Sequence, residues 1–226
     1  MQAGYLPRTT GPARDLPETL PSPLASGAPY WYWLGGRPSL YFVNTLRERW
    51  RRNVETLVTP HDLGDWLHAA GLLAPGAGAT DASALREAHA LREAIDAAVS
   101  AAVAGGPAPH DAVAAIDGWL WATAPRPHLM LGDDGVPCLG EHVGSDPLRA
   151  ALGAVALDAA QLLGAPAERA RLRICASDTC SARFYDRSRS GTRRWCSMRA
   201  CGNAAKVRRH RARTSSPIPS GFRGSP

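Results

Sequence analysis

Cys175-Ala176-Ser177-Asp178-Thr179-Cys180 and Cys196-Ser197-Met198-Arg199-Ala200-Cys201 are two equal Cys-x4-Cys pairs, set 15 residues apart. Two close pairs at about that separation are how a short chain brings four thiolates around one tetrahedral metal. Each pair forms a loop whose sulfurs converge, and the segment between them folds back to join the pairs. The x4 loops are wider than the common x2 knuckle. Two disulfides would fit the count, but residues 1–29 have no basic start followed by an apolar stretch, so nothing suggests export. An iron–sulfur cluster also takes four thiolates, but its usual tight triplet of cysteines is missing. The spacing therefore predicts one Zn2+ held by Cys175, Cys180, Cys196 and Cys201. Four thiolates leave no open position for water or substrate, so the ion is structural rather than catalytic. A module of about 30 residues cannot bury enough surface to fold alone, and zinc supplies of order 10–16 kcal/mol in comparable peptides. Phe184, Tyr185 and Trp195 lie between the pairs, as a miniature core or, alternatively, as platforms for stacked bases. Asp186 is expected to cap or pair locally, and the fifth cysteine, Cys138, to be a buried apolar residue.

The chain just after Cys201 is strongly basic. Residues 203–213 read as a helix that carries Lys206, Arg208, Arg209, Arg211 and Arg213 with too few apolar positions for a packing face. Arg187, Arg189, Arg193, Arg194 and Arg199 precede it. Between Arg169 and Arg213 there are 14 Lys and Arg against two acids, net +12, whereas the rest has 12 basic and 18 acidic residues, net −6. Such asymmetry points to a polyanion-binding end on an acidic body. The ten basic residues named make an electrostatic footprint for nucleic acid, because Arg binds phosphate or guanine edges in bidentate fashion. A solvated tail, or a surface paired with the acidic body, is the competing reading. His210 sits among the arginines, but four cysteines already complete the metal shell.

On the N-terminal side the pattern is helical. One helix is predicted from Leu40 to Val54, and a second starts at Thr59-Pro60-His61-Asp62 with a hydroxyl cap, a first-turn Pro and an acid on the dipole. Asp81 caps a long stripe of Leu85, Ala88, Leu91, Ile95, Val99 and Val103 at a period near 3.6. A shorter helix follows around Val113–Leu120, and Asp146-Pro147 opens the last large one. Between these, residues 128–143 read as a hairpin around Gly132-Asp133-Asp134-Gly135. The fold class predicted is mainly α: a helical N-terminal domain with one β-hairpin, followed by a small zinc-stabilised module. Its divisions are a flexible leader (1–29), the helical domain (30–168), the zinc module with its basic helix (169–213) and a flexible tail (214–226). The aromatic run Tyr30-Trp31-Tyr32-Trp33 reads as core or interface. No apolar run reaches the roughly 18–20 residues that span a membrane, so a cytoplasmic chain with reduced cysteines is expected. There is no nucleophile elbow, phosphate loop or His-Glu zinc motif. Asp62 with Asp65 and Asp133 with Asp134 read as helix-start and turn residues. The chain is not expected to be an enzyme.

Several stretches carry a family resemblance. Cys196-Ser197-Met198 and Cys201-Gly202-Asn203, preceded by Phe184, Asp186, Ser188 and Arg194-Trp195, resemble a CGNR-type zinc finger. Leu34-Gly35-Gly36-Arg37-Pro38, Phe42-Val43-Asn44-Thr45-Leu46 and the helix from Leu63 to Leu72 resemble the bacterial ABATE domain that precedes such fingers. The likeness covers about residues 33–211. Ala204 stands where the finger's namesake motif has Arg, Arg183 lies where Trp is common, and Tyr41 lies where an acid is frequent. The resemblance implies a stress-induced transcription regulator whose finger binds DNA. The helical domain would then be a ligand sensor or a dimerisation domain, with Gly35, Gly36, Asn44 and Thr45 as the first candidates for contact with a small-molecule effector. The alternative is a zinc-stabilised module for RNA or an acidic protein partner, without a regulatory DNA target.

Overall fold

The long stripe from Leu85 to Val103 becomes α3 (Ala82–Ala104), the helix around which the body is built. Asp81 starts it by accepting the Ala84 N–H, and Gly105, with φ of 73°, closes it in the left-handed region that favours glycine. The structure is a computed structural model that describes residues 31–78, 80–124, 126–142 and 146–214, without the side chains at 126, 141, 142, 200, 209, 210 and 212–214. The leader expected at 1–29, and the tail beyond Thr214, lie outside those residues.

Leu85, Ala88, Leu91, Ile95, Ala98 and Val99 are buried against α5 (Pro147–Gly164), which Asp146 caps through the Leu148 and Arg149 N–H groups. α4 (His110–Thr123) packs on both. At the α4–α5 crossing a Cβ on Gly153 would stand 2.4–2.6 Å from the Thr123 side chain, so only glycine permits that approach. α2 (Pro60–Ala69) begins with a reciprocal capping box between Thr59 and Asp62. Its Trp66 is fully buried and stacks on Trp33 at 6.0 Å, so Trp31 and Trp33 of the aromatic run pack on the core, while Tyr30 lies outside the described residues.

The first helix is shorter than the sequence predicts. α1 (Pro38–Val43) stops at Val43, and Leu46–Arg47 (β1) pairs with Val54–Glu55 (β2) instead of continuing a helix to Val54. Glu48 and Asn53 sit at φ of 50° and 52°, a left-handed conformation that no α-helix contains. One local and one longer-range contact fix this turn: Arg52 pairs with the buried Glu48 four residues before it, and the buried Arg47 lies 3.4 Å from the Tyr32 ring centre.

Arg126–Leu131 (β3) and Pro137–His142 (β4) form the hairpin, with Leu129 facing Leu139 and Met130 facing Cys138. The Asp134 carboxylate accepts the Val136 N–H inside the turn. Cys138 is exposed rather than buried, as are its partner Met130 and its neighbours Pro137 and Leu139. After α6 (Pro166–Arg169) come β5 (Leu172–Ile174) and β6 (Arg183–Tyr185), an antiparallel pair, then a π-helical turn (Met198–Gly202) and α7 (Asn203–Thr214). The architecture is helical with small antiparallel strand pairs and a cysteine-centred module at its C-terminal end. Among the described residues no helix is long and apolar enough to cross a membrane.

Candidate metal centre and basic surface

β5 and β6 set the first cysteine pair. Cys175 follows β5 and donates its N–H to Ala182, while Cys180 closes the loop by donating to Ser177. Cys196 precedes the π-helical turn and Cys201 lies within it, and Ala176 N–H to Arg194 C=O ties the second loop to the first. All four Sγ atoms lie within 4.8 Å of one another, with Cys180–Cys196 at 3.8 Å and Cys196–Cys201 at 3.6 Å. A tetrahedron of Zn–S bonds about 2.3 Å long has edges of about 3.8 Å, whereas a disulfide needs sulfurs about 2.05 Å apart. The donor set fits a single structural zinc ion, and all four cysteines are free and buried. Hydrogen bonds from Cys180, Cys196 and Cys201 hold Cys175 well below the usual thiol range, and contacts with Cys175 and Cys180 push Cys196 and Cys201 above it.

The loop between the pairs is organised by Asp186, which is fully buried. Its carboxylate accepts the backbone N–H groups of Ser188 (2.9 Å) and Arg193 (2.8 Å), and Arg171 donates to the Asp186 and Ser188 carbonyls. Burial pushes this carboxyl up, but the bonds from Ser188 and Arg193 outweigh it and hold it below the usual carboxylate value. Asp186→Ala leaves two N–H groups unpaired, and zinc-loaded protein at neutral pH should lose about 1–3 kcal/mol in denaturant unfolding. A variant as stable as wild type would show that water replaces the carboxylate. Phe184 is fully buried beside the cysteines, with Trp195 and Leu34 packed around them and the Arg193 guanidinium 5.2 Å from its ring centre. Phe184 and Trp195 thus form the miniature core, whereas Tyr185 packs against the core of the body.

The body grips this module through residues the sequence suggested for a small ligand. The Asn44 side chain accepts Arg183 N–H (2.8 Å) and donates to Arg183 C=O (2.9 Å), imitating a strand edge beside β6. Gly35 C=O accepts Tyr185 N–H at 2.8 Å, and Gly36 C=O accepts the Arg187 guanidinium. The Thr45 hydroxyl donates to Phe42 C=O and accepts from Arg92. Polar groups of all four therefore face protein partners. A second junction was not legible in the sequence. The Arg183 guanidinium, at a buried residue, meets Asp96 of α3 at 2.6 Å, donates to Ser181 C=O, and lies 5.7 Å from the Trp50 ring centre. Arg49 bridges Asp96 and Glu93, and the buried Arg92 pairs with Glu55 at 2.6 Å.

The ten basic candidates divide by role. Arg193 is turned inward, donating to the Trp195 and Cys196 carbonyls. Arg208 is exposed and reaches back to Asp178 (2.8 Å) and Ser177 of the first cysteine loop, which seats α7 against it. Arg187, Arg189, Arg194, Arg199, Lys206 and Arg211 are also exposed. Arg209 and Arg213 lie on α7, but their side chains fall outside the description.

Two family models match the chain. Residues 36–166 match ABATE, described as "putative stress-induced transcription regulator", and residues 171–214 match the CGNR zinc finger. A search of curated proteins finds no match.

Proposed function

The chain belongs to the ABATE family and carries a CGNR zinc finger, and from that premise we propose that it is a zinc-dependent, DNA-binding transcription regulator. One observation carries the reading: a cationic end, exposed through Arg187, Arg189, Arg194, Arg199, Lys206 and Arg211, is built around a cluster of four cysteines on an acidic body. The ion sets the loops, the Arg208–Asp178 pair sets the direction of α7, and the guanidinium groups face phosphate. Duplex DNA is favoured over single-stranded RNA because the described aromatic side chains of the finger offer no open stacking surface. Phe184 is buried, Tyr185 is half-buried, and Trp195 is half-buried with the Arg194 guanidinium 5.3 Å from its ring centre. For an effector, the body holds a cavity of about 600 Å³ between α3, α4 and α5, within the usual range of ligand sites. Ala102, Ile116, Leu120 and Leu163 line it, with Asp117 and Arg169 as polar groups, away from Gly35, Gly36, Asn44 and Thr45.

The test is the salt dependence of affinity for a DNA duplex, followed by fluorescence anisotropy with and without a zinc chelator. Affinity should fall by about 0.9 log unit per phosphate contact for each tenfold rise in salt. Lys206→Ala and Arg211→Ala should each reduce that slope by about one contact, and chelation should abolish binding. No duplex affinity at low salt would end this reading, and a strong preference for RNA would transfer it to the other nucleic acid.

A further inference from the structure

α7 carries five cations and no acid over 12 residues, and the contacts near its start settle which side faces the rest of the finger. Arg208 pairs with Asp178 at 2.8 Å and donates to the Ser177 hydroxyl. Ala204 and Ala205, three and four residues before it and so on the same side of the helix, are half-buried. Asn203, Lys206 and Val207 are turned away from that side, and all three are exposed. Asn203 and Val207 are four residues apart, so they stand one turn and about 6 Å from each other on one face. Val207 is 49% exposed, and the finger's other exposed large hydrophobic residue among those described is Met198, at 51%. Met198 packs against Gly202, where a Cβ would stand 2.8 Å from its sulfur, so it sits at the start of α7 just before Asn203. A surface that met phosphate alone would have no use for an amide set between two apolar side chains, but the edge of a base pair does.

We propose that α7 enters the major groove of duplex DNA with this open face, where Asn203 pairs with an adenine and Val207 packs on a neighbouring thymine methyl. The inference rests on the DNA-binding reading above and names the residues of that site that determine sequence. A helix about 10–12 Å across with its side chains fits a groove about 12 Å wide. The Asn203 amide offers an N–H donor beside a C=O acceptor, the complement of adenine N7 and N6–H, a pair that only the major groove displays. The thymine C5-methyl is displayed in the same groove and takes an apolar contact, which Val207 supplies. About 6 Å along the helix corresponds to about two base-pair steps of about 3.4 Å, so the two side chains reach neighbouring A·T pairs. Charge supports the approach. Lys206 is exposed beside the pair, and Arg189 and Arg199 are exposed on the loop and turn before α7, where flanking phosphates attract them. Asp178 holds Arg208 on the far side of the helix, which fixes the rotation of α7 about its axis and with it the residues that meet the bases.

Selection from a pool of duplexes with a randomised core, using the zinc-loaded full chain, tests this. Wild type should enrich a core that contains neighbouring A·T pairs. Asn203→Ala should lose at least about fivefold in affinity for the selected duplex. Its zinc content and salt slope should stay as in wild type, because no phosphate contact is removed. Val207→Ala should lose about fourfold, the worth of a buried methyl group. Two changes to the selected duplex read the same contacts on wild type, so they decide the matter even if a variant fails to keep its zinc. 7-Deazaadenine in place of adenine removes N7, and deoxyuridine in place of thymine removes the methyl; each should weaken binding. Indifference to both changes, variants that keep the wild-type preference, or a salt slope reduced by Asn203→Ala would overturn the proposal. Equal binding of all duplexes would overturn it too while leaving the DNA-binding reading in place, whereas no duplex affinity at low salt would end both.

Discussion

Cys196→Ser protein, purified in the presence of zinc, should contain no bound metal and should lose the fold of residues 171–214 while α2 to α5 stay packed. Cys196 lies between two other ligands, 3.8 Å from Cys180 and 3.6 Å from Cys201, so its loss opens the shell on two edges. The buried cluster of the finger consists of the four cysteines with Ala182 and Phe184, too little apolar surface to hold about 40 residues without the ion. Zinc binding of order 10–16 kcal/mol is therefore the folding free energy of this part. The body has its own core around Trp66, Leu91, Ile95, Leu152 and Leu162, which does not depend on the metal. Metal analysis should give about one zinc per wild-type chain and none for the variant. Limited proteolysis should cut the variant after about residue 175, since Leu172 of β5 belongs to the body's core. Full retention of zinc by Cys196→Ser would refute the four-thiolate site.

Asp96→Ala carries the second large effect. Its carboxylate is the counter-ion of Arg183, and the two side chains are only 14% and 6% exposed. Desolvation pushes Asp96 up and Arg183 down, so each charge depends on the other. Removing one partner leaves an uncompensated buried charge, which destabilises by about 3–5 kcal/mol. For a chain of this size that is a fall in Tm of roughly 6–20 °C. The double change Asp96→Ala with Arg183→Trp should recover much of the loss, because an apolar replacement of a buried pair is often near neutral. A single-variant loss under about 1 kcal/mol would mean that the pair is solvated. Failure of the double variant to recover stability would instead point to the hydrogen bond from Arg183 to Ser181 as the contact that matters.

The two effects explain which parts of the molecule were legible beforehand. Helix starts at Thr59, Asp81 and Asp146 are written in one side chain and the N–H groups that follow, so local chemistry identifies them. The stripe of α3 is a periodicity, also local, and so is the turn at Asp133-Asp134-Gly135. The predicted helix from Leu40 to Val54 failed for the opposite reason. What ends it at Val43 is Asn44 bonded to Arg183, 139 residues away, followed by a turn in which Arg47 meets the Tyr32 ring. Cys138 failed likewise: its residue type favours burial, but the described residues leave it exposed on the hairpin.

For the candidate site, the cysteine spacing alone determined the donor set and its structural character, because a tetrahedral shell of four thiolates tolerates few arrangements of a short chain. The charge asymmetry alone determined which end is cationic. The tertiary structure decided which cations remain open, by turning Arg193 inward onto the Trp195 and Cys196 carbonyls and tying Arg208 to Asp178. It alone decided that Asn44, Gly35 and Gly36 join body to finger, and that Arg183 is buried against Asp96. Those contacts connect residues 87 to 151 positions apart. Chain-local patterns carry no information about a partner at that distance, since the pairing exists only once both cores have closed around it.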